Sequence, residues 1–149
     1  DFKLASGTWV SAGALRAQFV DHCAPLVRDA VVAGMNRDDV AVLVFPDIEA
    51  CRKLAGLTAD APPATVLADG KVREEFKKRL NALARQSTGG STRICRLILM
   101  AEPPSLDAGE ATDKGSINQR AVLTRRTALV DELYAAPLSA QIIAIDERK

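Results

Sequence analysis

The stretch "VAVLVFP", residues 40–46, is apolar at every position. A strand with one face in water alternates apolar and polar side chains. An unbroken apolar run between turns reads instead as a strand buried on both faces. The polar "MNRDD", residues 35–39, precedes it as a turn, and "PLVRDAVVAG", residues 25–34, precedes that as a second strand. Downstream, Asp47 stands as the cap of a short helix carrying Ile48, Cys51 and Leu54 and closed by Gly56. "TADAPPATVLAD", residues 58–69, reads as a loop, because paired prolines cannot continue a helix.

Residues 70–86 spell the clearest helix. Val72, Phe76, Leu80 and Leu83 make one apolar stripe, and Glu74–Lys78 and Glu75–Arg79 are spaced as i,i+4 pairs on the other face. "STGGST", residues 87–92, breaks that helix, and "RICRLILMA", residues 93–101, is a third core strand. A loop over 102–118 leads to a helix from about 119 to 134, with Val122, Leu129 and Leu133 inward and Pro137 beyond its end. "LSAQIIAI", residues 138–145, is a further edge strand or an ordered tail.

Toward the N-terminus, "DFKLASGTWVSAG", residues 1–13, has two β-prone pieces around Ser6-Gly7, a hairpin. Residues 14–23 follow as a helix with Leu15, Phe19 and His22 at helical spacing, after Ser11 as a cap. The order predicts one α+β domain over 1–149: a small mixed sheet with an N-terminal β-hairpin and helices packed on it.

The bulk numbers exclude several classes. A formal net charge of +1 gives no global field to draw nucleic acid or an anionic membrane. Aromatic residues are only 4% of the chain and no run interleaves them with basic residues, as a base-stacking surface requires. No apolar run reaches membrane-spanning length. Cys23, Cys51 and Cys95 lie far apart inside apolar patterns without C-x-x-C spacing, so buried thiols in a reducing, cytoplasmic setting are expected. With one histidine and no clustered ligands, no metal site is expected.

Three candidate sites stand out from the residues. Lys114 lies on the loop 102–118 beside Gly115, with Asp107, Glu110 and Asp113 near in sequence. It reads either as a charged finger for a phosphate or carboxylate, or as a solvated turn lysine, the commoner case. "STGGST" offers two glycines flanked by hydroxyls, but it follows a helix and precedes a strand, whereas phosphate loops lead into a helix N-terminus. It reads as a plain connection. Gly7 and Trp9 in "SGTWV" offer backbone that a thin ligand can pass and a flat apolar wall, or else a hairpin glycine beside a core tryptophan. His22 reads as a residue closing the end of the first helix or packing at the core margin. Ser6, Ser11 and Ser116 have no partner for a catalytic triad.

Taken in order, the pieces resemble a known family. The opening Asp1-Phe2-Lys3-Leu4-Ala5-Ser6-Gly7-Thr8-Trp9-Val10 is similar to the hinge motif D-x-I-K-x-x-G-x-x-V of the adenylate-forming acyl-CoA synthetases, in the AMP-dependent synthetase/ligase superfamily. The aspartate, glycine and valine are in register, and Lys3 stands one place early. "TDKGSIN", residues 112–118, sits where the family carries T-x-x-G-K-I ahead of its last helix, with Lys114 before the glycine and Ser116 at the family's lysine position. Together "FKLASGTWV" and "EPPSLDAGEATDKGSINQRAVL" look most like the feruloyl-CoA synthetase branch.

The resemblance implies the mobile C-terminal domain of a larger two-domain acid–CoA ligase, with Asp1 at the hinge and the large N-terminal domain outside this chain. The start at "DFKLASG" without methionine is read the same way, as a piece of something longer. The implied chemistry has two steps. A carboxylic acid, hydroxycinnamate-like in this branch, and ATP with Mg²⁺ give an acyl-adenylate and pyrophosphate; the coenzyme A thiol then displaces AMP. It implies Lys114 as the adenylation lysine, and Lys3 and Gly7 on the coenzyme A channel; Trp9, as the flat apolar wall beside them, is read as lining the same channel. This domain alone is expected to hold no cofactor and to show no turnover. Two other classes stay open: a free-standing non-enzymatic module binding a protein or an anionic ligand through the Lys114 loop, and an adenylating domain serving a carrier-protein thiol.

Overall fold

The computed structural model describes residues 1–146. Two short strands, β1 (Phe2–Lys3) and β2 (Trp9–Val10), pair antiparallel as the N-terminal hairpin. Helix α1 (Ala12–His22) leads to β3 (Val27–Ala33), β4 (Val40–Pro46), α2 (Ile48–Ala55), α3 (Pro63–Ala68), α4 (Gly70–Gln86) and β5 (Ile94–Leu99). Then come α5 (Gln119–Arg125), α6 (Thr127–Leu133) and β6 (Ile142–Ala144). The main sheet has the order β3-β4-β5-β6, with β4–β5 parallel and the outer pairs antiparallel. The α+β class with a mixed sheet is as the sequence predicts.

All of β4 is buried, and its alternation divides the molecule. Val40, Val42 and Val44 face one core, with Phe19 of α1 and Phe76 and Leu80 of α4. Ala41, Leu43 and Phe45 face a second, with Val122 of α5 and Leu133 of α6. Helices therefore cover both faces, which is what an unbroken apolar strand demands. Of the stretch 138–145, Ile142–Ala144 forms β6, which with β3 makes the two edges of the sheet.

Local chemistry sets the helix ends. The Asp47 carboxylate accepts from the Ala50 amide, and Gly56 closes α2 at φ 69°. Asp69 caps α4 by accepting from Lys71 and Val72. Glu75–Arg79 forms at 2.7 Å, whereas Glu74 and Lys78 do not pair.

Several expectations need correction. The stretch 58–69 contains α3, since Pro63 sits in its first turn, where a missing N–H costs nothing, and Val66 and Leu67 are buried. Ser11 occupies the first cap position but its hydroxyl makes no capping bond, and α1 begins at Ala12. Leu54 points outward and Ala55 inward on α2. Cys23 and Cys51 are buried, with burial pushing their thiols up to about 12 and about 11, but Cys95 is only half-buried. The helix over 119–134 is two helices, broken at Arg126 (φ −104°, ψ 34°), and Leu129 is half-buried.

The hairpin is docked on the β3–β4 turn. The Ala5 amide donates to the Arg37 carbonyl at 2.8 Å, and the Asn36 amide to the Lys3 carbonyl at 3.0 Å. Gly34 has φ +146°, and a Cβ there would lie 3.0 Å from the Asp39 carbonyl oxygen and 3.2 Å from the Phe2 ring. Gly34→Ala is expected to destabilise the chain by about 1–3 kcal/mol through this overpacking, checked by urea denaturation. An unchanged midpoint would mean that the hairpin is not held by this contact.

Candidate functional site

The candidate residues fall at opposite ends of the main sheet. Asp1, Lys3, Gly7 and Trp9 belong to the hairpin, which is held on the turn between the end of β3 and the start of β4. Lys114 belongs to the loop 102–118, which leaves the other end of the sheet after β5; there the Met100 amide donates to the Val44 carbonyl. β4 alone separates the two ends by about 20 Å, at roughly 3.3 Å per residue. The structure therefore does not bring the two sets together.

Both sites are tips of the same kind of turn. In the hairpin, the Gly7 amide donates to the Leu4 carbonyl and the Leu4 amide to the Thr8 carbonyl, with Gly7 at φ 87°. In the loop, the Gly115 amide donates to the Thr112 carbonyl and the Thr112 amide to the Ser116 carbonyl, with Gly115 at φ 86°. A turn followed by one left-handed residue is a three-residue hairpin connection, and that residue favours glycine. The glycine of each motif is thus accounted for by backbone geometry. Open space lies where a Cβ at Gly7 or Gly115 would project.

At the first tip, Trp9 is 63% exposed, which removes the core-tryptophan alternative. The Lys3 ammonium lies 4.9 Å from the centre of its ring, a cation on an aromatic face. At the second, an isolated bridge pairs Ala111 with Ile117, so Lys114 stands exposed at the end of a small hairpin. Ser116 lies on the returning side, its amide donating to the Thr112 hydroxyl at 3.2 Å. Of the acids near Lys114 in sequence, Glu110 is not a solvated one. It is wholly buried and paired elsewhere. Beneath the hairpin, a groove of about 520 Å³ is walled by Phe45, Pro46, Met100, Pro103, Pro104 and Ile117, among others.

Sequence reasoning missed the cluster that holds this loop. Arg126 Nε and Nη2 donate to Glu110 Oε2 and Oε1, each at 2.9 Å. Arg126 also donates to the Glu102 and Pro103 carbonyls at 2.9 Å, and its guanidinium lies 5.0 Å from the Phe45 ring centre. Glu110 Oε1 further accepts from Arg125 at 3.1 Å and from the Ser105 amide at 3.0 Å. Burial pushes the Glu110 carboxyl up, but the bonds from Arg126 and the Ser105 amide, with the charges of Arg126 and Arg125, outweigh it and hold the group below the ordinary carboxylate range. A signal existed in the sequence. Arg126 falls on the inward stripe with Val122 and Leu133, and an arginine there requires a buried acid.

The remaining candidates are structural. His22 Nε2 lies 2.9 Å from the Arg79 carbonyl and ties the end of α1 to α4. In "STGGST" the Thr88 and Gly89 amides both donate to the Thr92 hydroxyl at 3.2 Å, so they are already satisfied. Among the described residues no three or more His, Cys, Asp or Glu side chains come together as a metal site, and no helix is long and apolar enough to cross a membrane.

Comparison with known proteins identifies the family. Residues 3–137 match the model described as "AMP-binding enzyme C-terminal domain", and the chain belongs to that family. No curated protein matches the sequence. Among solved structures it is similar to the A-PCP didomain of carboxylic acid reductase from Segniliparus rugosus in complex with AMP, at 24% identity and TM-score 0.63, over 89% of this chain and 17% of that one. It is similar to the A domain of the same reductase in complex with AMP and a co-purified carboxylic acid, at 24% identity and TM-score 0.64, over 89% of this chain and 19% of that one. A third is the adenylation domain of a carboxylate reductase from Mycobacterium chelonae, at 20% identity and TM-score 0.60, over 89% and 19%. The chain spans less than a fifth of each of these structures, and at such identities the likeness is one of fold.

Proposed function

We propose that this chain is the mobile C-terminal domain of an adenylate-forming acid–CoA ligase of the feruloyl-CoA synthetase type. The supporting observation is the placement of two exposed turn tips at opposite ends of one sheet, Lys114 on one and Lys3, Gly7 and Trp9 on the other. A lid that serves two successive reactions by turning about a hinge needs two working ends, and Asp1 stands beside the second as the hinge residue.

In the first reaction a substrate carboxylate attacks the α-phosphate of ATP and pyrophosphate leaves. Both reactants are anionic, and the Lys114 ammonium offsets their repulsion where charge develops. In the second, a thiol attacks the acyl carbon and AMP leaves. Trp9 and Lys3 then line the path of the pantetheine arm, and the compact turn at Gly7 leaves that path open. Mg²⁺ would travel with ATP, bound by its phosphates together with one or two carboxylates.

A second reading has its own support. One of the similar structures is an A-PCP didomain, which favours an acyl acceptor on a carrier protein rather than free coenzyme A. The same surface would receive either thiol. The test uses the complete enzyme and follows the two half-reactions separately. Trp9→Ala is expected to slow thioester formation from supplied acyl-adenylate about tenfold, the loss of one aromatic contact of about 1.4 kcal/mol, with adenylation unchanged. Equal loss in both steps, or none in the second, would remove the channel assignment. Saturating turnover with free coenzyme A would decide against the carrier-protein acceptor.

A further inference from the structure

We infer that Glu110 is a positioning residue for Lys114, acting through its buried pair with Arg126. The inference rests on the adenylation role given to Lys114 above. The loop 102–118 is long for an irregular segment, and such segments are commonly mobile unless something ties them down. Here one cluster fixes its entry, middle and exit. Arg126 bonds the Glu102 and Pro103 carbonyls at the entry. The Glu110 carboxylate takes the Ser105 amide and both arginines, and the Glu110 amide donates to the Ser105 carbonyl at 2.9 Å. At the exit the Asn118 amide donates to the Glu110 carbonyl at 2.8 Å.

Glu110 immediately precedes the small hairpin that carries Lys114, whose first pair is Ala111 with Ile117. The hairpin is therefore mounted on a fixed base, not on a flexible tether. The chemistry of the base is itself informative. Glu110 has no exposed surface and Arg126 only 7%, and a buried ion pair is seldom more stable than apolar side chains of the same volume. What a planar guanidinium gripping a carboxylate with two parallel bonds does supply is orientation. Orientation is what a catalytic cation needs, because a displacement of about 1 Å can cost a hundredfold in rate.

A merely structural cluster predicts something different, and a double-mutant cycle separates the two. In the complete enzyme, Glu110→Gln is expected to slow acyl-adenylate formation, read as pyrophosphate release, about 10- to 100-fold. Attack of the thiol on supplied adenylate should be unchanged. Glu110→Gln combined with Lys114→Ala should be no slower than Lys114→Ala alone, because residues acting as one unit are not additive. Penalties that multiply in the double variant, equal loss in both half-reactions, or full activity of Glu110→Gln would each overturn the proposal. If Lys114→Ala by itself leaves adenylation intact, the functional reading fails and this proposal with it. If Lys114→Ala is impaired and Glu110→Gln is not, only the positioning role fails. Should Glu110→Gln not fold, as judged by thermal melting, Glu110→Asp keeps the charge but shortens the reach, and the same selective loss is expected of it.

Discussion

Lys114→Ala is expected to slow acyl-adenylate formation in the complete enzyme by about two to three powers of ten, or roughly 2.7–4 kcal/mol of transition-state stabilisation, while thiol attack on supplied adenylate keeps its rate. The magnitude is that of removing one preorganised charge from the position where charge develops in the transition state. The selectivity follows from the geometry. Lys114 stands about a β4-length, roughly 20 Å, from the hairpin that carries Trp9, so a single pose cannot place both tips at one reacting atom. Among the described residues Lys114 has no ion pair of its own, and its ammonium is available to a ligand. Ser116, at the family's usual lysine position, lies on the returning side of the turn and carries no charge, so Ser116→Ala should be silent in both half-reactions. Loss of both half-reactions in Lys114→Ala would point to a folding role. Survival of both would make the loop a surface turn.

Why part of this was legible in the sequence, and part not, is a matter of interaction range. The unbroken run over 40–46 forced a doubly covered strand, and the stripe Val72, Phe76, Leu80 and Leu83 forced α4, because each pattern lies within one element. Asp47 and Gly56 marked the ends of α2 for the same reason. Pro63 misled, since the rule that proline interrupts a helix gives way in the first turn, and two buried side chains then supply the packing. Lys114, Gly7 and Trp9 stood out through motif and residue type, yet nothing local places them at opposite ends of a sheet. That separation comes from the order β3-β4-β5-β6, which is non-local. The pair Glu110–Arg126 joins a loop to a helix break. Local sequence groups its acid with Lys114, because sequence neighbours look like spatial ones. The hairpin reading of Gly7 was local in the sequence, and the fold shows Gly115 in the same kind of turn. Each is the left-handed residue of a turn, which accounts for glycine at that position whatever passes beside it.

The largest effect on stability should come from Arg126. Arg126→Leu leaves Glu110 buried without its main partner, and breaking a buried pair in this way typically costs about 3–5 kcal/mol. The pH dependence distinguishes that cause from simple loss of packing. In the wild-type chain the folded Glu110 carboxyl lies below its ordinary range. Its contribution is therefore present above the unfolded-state value, about 4.3 for a glutamate, and is lost as pH falls through the lower folded value. In Arg126→Leu the burial that opposes ionisation, the largest influence on this carboxyl, is set against only the Ser105 amide and the Arg125 charge, and the folded carboxyl is expected to move above its ordinary range. The folded variant then binds a proton that the unfolded chain does not, so its stability rises as pH falls from 7 toward 5. Urea denaturation of both proteins at these two pH values should show a gap that narrows on acidification. A gap independent of pH would assign the loss to packing against Phe45 and the loop carbonyls. Glu110→Leu combined with Arg126→Leu should recover much of the deficit, since it leaves no charge stranded in the interior.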